Sequence, residues 1–280
     1  MAGSRIFAFL CGVCLILGAN NAAAQFSVAC PAPKPEEIAA SPPGDDPTTW
    51  VCEATAKKPM TGALHWMRNA AEYKALTKAV YADATRAVER AAKKYGRWGF
   101  IVIVDADETL IDNLPYQRER EICGLPTYTD ASWCGWTNEQ KAAPVPGALA
   151  FITRVHQLGG LIAVVTNRSK DEEWVTRENL RKDGFFYDAI RVMDTDPDKA
   201  PRWKSVKGEL AEVARKLGRK GAAPKAIIWV GDQISDLPKL DAEGNILGSK
   251  DQSDDGKDIG VTLFLLPNPE YGRWQKNPDR

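Results

Sequence analysis

The stretch "GFIVIVDADETLIDNLPY", residues 99–116, decides the fold. Phe100 to Val104 are five consecutive apolar residues. A strand with one wet face would alternate, so this run reads as a strand buried on both sides. It then delivers Asp105 and Asp107, one residue apart, followed by Glu108 and Asp112. Carboxylates at the carboxyl end of a buried strand mark the ligand edge of a parallel sheet.

Downstream, four more oily runs recur: "LIAVVTN" (161–167), "AIRVM" (189–193), "AIIWVGD" (226–232) and "VTLFLL" (261–266). Helical patterns at about 146–158, 170–183 and 203–218 separate them. Strands alternating with helices predict an α/β fold, a doubly wound parallel sheet covered on both faces. Upstream, Leu64, Met67, Ala71, Leu76, Val80, Ala84 and Val88 fall near helical spacing, and Gly96 closes that run. This predicts a helical N-terminal extension. Residues 112–145 break the alternation with Pro115, Pro126, Pro144, Cys123, Cys134, Trp133 and Trp136. They predict a small aromatic insertion over the site and no sheet element.

Three strand ends converge if the sheet is parallel. They bring Asp105 and Asp107, then Thr166 and Asn167, then Asp232 with Asp236 four residues on. Two carboxylates about 4 Å apart repel by roughly 4 kcal/mol at an effective dielectric near 20. An all-oxygen cluster without His or Cys suits a hard cation, Mg²⁺ above all, and Mg²⁺ recruits phosphate. Thr166 supplies a hydroxyl for phosphate oxygens. A lysine is needed to balance the charge, and "DKAPRWKSVK" (198–207) offers Lys204, with Lys199 and Lys207 as competitors.

Composition narrows the function classes. The formal net charge is +0, which gives no steering toward a nucleic-acid polymer or an anionic membrane. His65 and His156 stand far apart and no serine elbow is present, which argues against Ser-His-Asp and multi-histidine chemistry. Arg5, the apolar run Ile6–Leu17 and Ala22-x-Ala24 predict a secretory leader over 1–24, with no transmembrane segment after its removal. Ser27 three residues before Cys30 makes a poor lipidation site, so a secreted or periplasmic protein is expected over an outer-membrane lipoprotein. Residues 25–60 read as a Pro-rich arm, and 61–280 as a single domain. Cys30, Cys52, Cys123 and Cys134 remain, an even count that suggests two disulfides, with the sequence-local pairing Cys30–Cys52 and Cys123–Cys134 expected.

"DADETLIDNLPY", "VVTNR", "WKSVK" and "VGDQISD" resemble, in order and rough spacing, the four motifs of the haloacid-dehalogenase (HAD) superfamily. "WMRNAAEYKAL" (66–76), "APVPGALAF" (143–151) and "LPNPEYGRW" (266–274) resemble the class C bacterial acid phosphatases, a family that includes lipoprotein 5′-nucleotidases. The resemblance covers about Trp66 to Trp274. It implies a phosphoric monoester hydrolase with Asp105 as nucleophile, Asp107 as general acid and base, and Mg²⁺ held by Asp105, Asp232 and the Asp107 backbone carbonyl. Thr166, Asn167 and Lys204 would bind phosphate, and Asp236 would hold Lys204 or a metal-bound water. Glu108 stays open between an acceptor role and a local cap. Tyr271, Trp133, Trp136 and Tyr128 are candidates to stack on an aromatic or nucleoside leaving group, and the tryptophans alternatively pack the insertion. The substrate is then a small phosphomonoester. A phosphotransferase to alcohols and a non-catalytic ligand-binding protein are the competing readings; an oligomer is left open.

Overall fold

The computed structural model describes residues 27–41, 46, 48–51, 58–254 and 256–278. The expected leader and Cys52 lie outside the described residues.

A short helix, α1 (Pro35–Ala40), lies in the arm. The helical extension is two helices, α2 (Gly62–Asn69) and α3 (Ala71–Tyr95), broken at Ala70, whose backbone is extended. Thr61 starts α2 as its N-cap, its Oγ1 accepting from the Leu64 N–H. Gly96 ends α3 at φ +70°, a left-handed conformation that suits glycine.

Strand β1 (Phe100–Val104) follows and is buried throughout. The insertion then departs through β2 (Ile111–Asp112), which pairs antiparallel with β3 (Ala143–Pro144) to close its stem. Between them stand α4 (Leu114–Ile122) and α5 (Asp130–Glu139). After the insertion come α6 (Ala148–Gln157), β4 (Leu161–Ser169), α7 (Glu173–Lys182), β5 (Ala189–Met193), α8 (Ala200–Lys216) and β6 (Lys225–Gly231). A hairpin of β7 (Pro238–Leu240) and β8 (Ile246–Ser249) precedes β9 (Leu263–Leu265).

The main sheet has the order β5-β4-β1-β6-β9, with every pair parallel. All five expected strands are present, and the sheet is doubly wound. On one face Phe100, Val102, Val104, Val164 and Val230 pack under α3 and α6. On the other, Ile101, Ile103, Val165 and Trp229 pack under α8 through Trp203, Val206 and Leu210. From β1 the chain winds outward to β4 and β5, then returns to the far side of β1 for β6 and β9. The switch point therefore falls between β1 and β6, where such sheets open a crevice beyond the strand ends.

Two expectations need correction. The insertion is helical, and its stem is a short antiparallel pair, β2 with β3, where no sheet element was expected. Helix α5 escapes periodicity because Ala131, Ser132, Cys134, Trp136 and Thr137 are all buried, which leaves no continuous polar stripe to read. The disulfide pairing also differs: Cys30 bonds Cys134, which refutes both sequence-local pairs. Cys123 is disulfide-bonded as well. The bond joins the arm to α5 across a separation of 104 residues, and closing a loop of that size removes unfolded-chain entropy worth about 4.7 kcal/mol of stability. Peptide mapping of the non-reduced protein is expected to recover Cys30 cross-linked to Cys134; a Cys30–Cys52 peptide would contradict this connectivity.

Candidate active site

The carboxyl ends of β1 and β6 put their acids side by side. Carboxylate oxygens of Asp105, Asp232 and Asp236 lie within 4.8 Å of one another, and all three residues are buried. Asp105 continues β1, its N–H donating to the Val230 carbonyl at 3.0 Å. Asp236 is folded back against the end of β6. A Cβ on Gly231 would stand 2.3 Å from the Asp236 Cβ, so glycine makes that approach possible. The Gln233 N–H donates to Asp236 Oδ2 at 2.9 Å and holds it there.

A buried lysine enters this cluster, and it is Lys199. Its Nζ pairs with Asp105 Oδ1 and, at 2.7 Å, with Asp236 Oδ1. The expected Lys204 is exposed on α8. The correction follows from where the helix starts. Helix α8 begins at Ala200 and turns Trp203, Val206 and Leu210 onto the sheet, so Lys204 faces away while Lys199, at the N-cap, reaches in.

Burial pushes the Asp105 carboxyl well above its usual range, and Lys199 pulls against that. Burial and the Asp236 charge push Asp232 up to about 7, against hydrogen bonds from Asn268 and Gln233. Burial pulls Lys199 down, but Asp105 and Asp236 outweigh it and hold it above the ordinary lysine value. Three carboxylates against one ammonium leave two negative charges when all are ionised. That deficit, with oxygen donors alone, fits a divalent hard cation.

Asp107 sits in a separate network. Arg168 donates Nε and Nη2 to Asp107 Oδ1 at 3.0 and 2.8 Å, and the Asn113 Nδ2 donates to the same oxygen at 2.8 Å. Trp136 Nε1 donates to Asn113 Oδ1 at 2.8 Å. Sequence reasoning assigned no role to Arg168 or Asn113; the one available signal was Arg168 closing "VVTNR". Trp136 is 2% exposed and meets Trp50 edge-on, with ring centroids 4.9 Å apart. It is therefore a packing and positioning residue: of the two roles open to it, packing holds and stacking does not.

Glu108 resolves into an acceptor for two groups. At φ +50°, it accepts from the Asn113 N–H at Oε1 (2.8 Å) and the Tyr271 hydroxyl at Oε2, so Asn113 bonds both Glu108 and Asp107. Tyr271 is tied a second time through its carbonyl, which accepts from Gln233 Nε2 at 3.0 Å. Asn268, in the same tail, donates to Asp232 Oδ2 at 2.7 Å. Thr166 is fully buried, and its Oγ1 accepts from the Arg168 N–H at 3.1 Å. Asn167 is exposed, its Oδ1 accepting from Arg202 Nη2 at 2.6 Å.

A cleft of about 960 Å³ opens over the cluster. Asp105, Asp107, Lys199, Asn167, Asp232 and Asp236 line it, as do Tyr128, Trp133 and Tyr271. The Trp133 ring stands 5.1 Å from Tyr116, 5.9 Å from Tyr128 and 5.4 Å from the Arg168 guanidinium carbon. Three of the four stacking candidates thus face the cleft.

A doubly wound sheet with aspartates at β1 and β6 is the architecture of the HAD superfamily, and the profile of its subfamily IIIB (acid phosphatase) matches residues 47–274. The chain belongs to that subfamily. Curated plant proteins are similar to it. Acid phosphatase 1 of Solanum lycopersicum is 30% identical over 175 residues, covering 60% of this chain and 57% of that protein. The stem 28 kDa glycoprotein of Glycine max is 28% identical over 170 residues, covering 60% and 58%. The chain therefore spans less than two thirds of the length of these relatives. The class C acid phosphatase from Bacillus anthracis has a similar fold, with a TM-score of 0.62 at 23% identity over 76% of this chain and 85% of that one. HAD phosphatases use a divalent metal, and the acidic cluster suits one.

Two predictions follow from this geometry. Gly231→Ala is expected to displace Asp236 and destabilise the fold by about 1–3 kcal/mol, the usual penalty for an added methyl in a packed site; urea denaturation measures it. A divalent cation is expected to raise the melting temperature more at pH 7.5 than at pH 5. Asp232, raised to about 7, keeps a proton when folded that the unfolded chain releases from pH 4 upward, so metal-free stability falls as pH rises across that window. A cation takes the place of that proton, and equal melting shifts at both pH values would contradict the account.

Proposed function

We propose that this chain is an exported, Mg²⁺-dependent acid phosphatase that hydrolyses phosphomonoesters, nucleoside monophosphates among them, through an aspartyl-phosphate on Asp105. The observation that carries the reading is Asp105 itself: a carboxylate at the switch point of the sheet, paired with buried Lys199 beside Asp232 and Asp236. Buried acids and a lysine around one carboxylate suit phosphoryl transfer, where stabilising charge on the moving group is most of the task.

Asp105 and Asp232 would hold Mg²⁺ with their carboxylates and Asp107 with its backbone carbonyl. Bound there, the ion neutralises the cluster and polarises phosphoryl oxygens. The Asp105 oxygen attacks phosphorus, forming an O–P bond as the bond to the leaving oxygen breaks. Asp107 gives that oxygen a proton and later takes one from the water that opens the aspartyl-phosphate. Arg168 and Asn113 keep its carboxyl from rotating away. Lys199 and Asn167, which line the cleft, steady the phosphoryl oxygens, Thr166 beneath them holds the Arg168 N–H, and Asp236 fixes Lys199. The Asp107 side chain is 19% exposed where that of Asp105 is 8% exposed, which suits a proton carrier on the solvent side of a nucleophile. Aromatic Tyr128, Trp133 and Tyr271 beside the cleft support nucleoside or aryl leaving groups, with stacking worth about 1–3 kcal/mol per base. Disulfide bonds at Cys30, Cys123 and Cys134 support an oxidising compartment outside the cytosol.

The purified protein is expected to release phosphate from p-nitrophenyl phosphate with Mg²⁺ and to stop in EDTA. Asp105→Asn is expected to lower kcat by roughly 10³-fold or more, as loss of a nucleophile does. Lys199→Met is expected to cost about 10²–10³ in kcat, the scale of one lost charge-stabilising donor. Full activity in Asp105→Asn or in EDTA would contradict the mechanism.

A further inference from the structure

We infer that the strap at Val28–Pro31, fastened by the Cys30–Cys134 bond, is a wall of the substrate cleft that selects bulky, apolar leaving groups. This rests on the phosphatase reading above. The cleft, at about 960 Å³, lies near the top of the roughly 300–1,000 Å³ range of small-molecule sites and far exceeds what a phosphoryl group fills. Its sheet-edge end is taken by the carboxylates and Lys199. The remaining volume belongs to whatever the phosphoryl group is attached to. Val28, Ala29, Cys30 and Pro31 line that same cleft, together with Tyr128 and Trp133.

The strap is placed there by specific bonds. Cys30 is bonded to Cys134, the residue after Trp133. The Val28 N–H donates to Asn138 Oδ1 at 2.8 Å, and Asn138 Nδ2 returns a bond to the Val28 carbonyl at 2.9 Å. Just beyond, Lys34 Nζ pairs with Asp130 Oδ2 at 2.8 Å. Every one of these partners lies on α5, the helix that presents Trp133. Ala29, Cys30 and Pro31 are themselves exposed, so the strap adds little to a core. Four anchors on one helix hold a segment whose burial would not.

The chemistry of the wall follows from its residues. Both polar backbone groups of Val28 are consumed by Asn138, and Pro31 has no N–H to offer. The strap therefore brings valine, alanine and proline side chains to the cleft that Tyr128 and Trp133 also line. Such a wall rewards a flat, apolar leaving group with buried area, while a small polyol draws on the polar side chains elsewhere in the cleft and gains little from the strap. Freeing the strap removes one side of the cleft and leaves Asp105, Asp107 and Lys199 untouched.

The test compares 1-naphthyl phosphate with glycerol 2-phosphate in the full-length protein. The variants are Cys30→Ser/Cys134→Ser, which releases the disulfide, and Asn138→Ala, which opens the backbone clamp and keeps it. In the double variant KM for naphthyl phosphate is expected to rise roughly tenfold, the factor that about 1.4 kcal/mol of lost contact produces. Turnover of glycerol 2-phosphate is expected to stay at the wild-type level. Asn138→Ala is expected to shift the same ratio in the same direction, by less. An unchanged naphthyl-to-glycerol preference in the double variant, or an equal loss on both substrates, overturns the inference. If the double variant fails to fold, an unchanged preference in Asn138→Ala overturns it instead. A wild-type protein that turns over neither ester sinks the phosphatase reading, a different failure from that of the strap.

Discussion

The pairing of Lys199 with Asp105 and Asp236 is the interaction on which the rest depends. Three buried carboxylates within 4.8 Å of one another do not coexist as anions without compensation. Lys199 supplies one buried positive charge from the N-cap of α8, and the surrounding hydrogen bonds fix where the remaining negative charge lies. Gln233 holds Asp236 and Asp232, Asn268 holds Asp232, and Gly231 leaves room for the fold-back that brings Asp236 to the lysine. Remove the lysine and the cluster must protonate or come apart. Keep it, and the site retains a deficit of the size a divalent cation fills.

Around this centre the tail and the insertion act on the same few residues from opposite sides. The tail reaches Glu108 through the Tyr271 hydroxyl and Asp232 through Asn268. The insertion reaches Asp107 through Asn113, which is itself fixed by Trp136. Segments far apart in the chain thus orient Asp107 and Glu108, neighbours just past the end of β1, and Asp232 at the end of β6. Positioning to that degree is what a proton transfer and an in-line attack require.

The sheet was legible because continuous apolar runs have no other good reading, and the ends of those runs pointed to Asp105, Asp107 and Asp232 directly. Other features were hidden for physical reasons. Lys199 and Lys204 are indistinguishable by residue type; only the true start of α8, three residues before the expected one, turns one inward and the other to solvent. Helix α5 carries no readable stripe because it is packed by the arm, the body and its own neighbours. Cysteine pairing across 104 residues is a tertiary fact, and proximity in sequence misled. Arg168 stood inside a quoted motif, yet only the structure reveals its partner, because a buried arginine declares itself by the carboxylate it meets. Trp133 and Trp136 look alike in an irregular stretch, each open to stacking or packing, until burial separates Trp133 on the cleft from Trp136 in the core.

The central claim is that Asp105 carries the phosphoryl group. The most direct measurement is acid quenching of the enzyme during turnover, borohydride reduction of any acyl-phosphate, and peptide mass spectrometry. The account predicts homoserine at position 105, present with substrate and absent without it. Reduction product at another carboxylate, or none during active turnover, would contradict it.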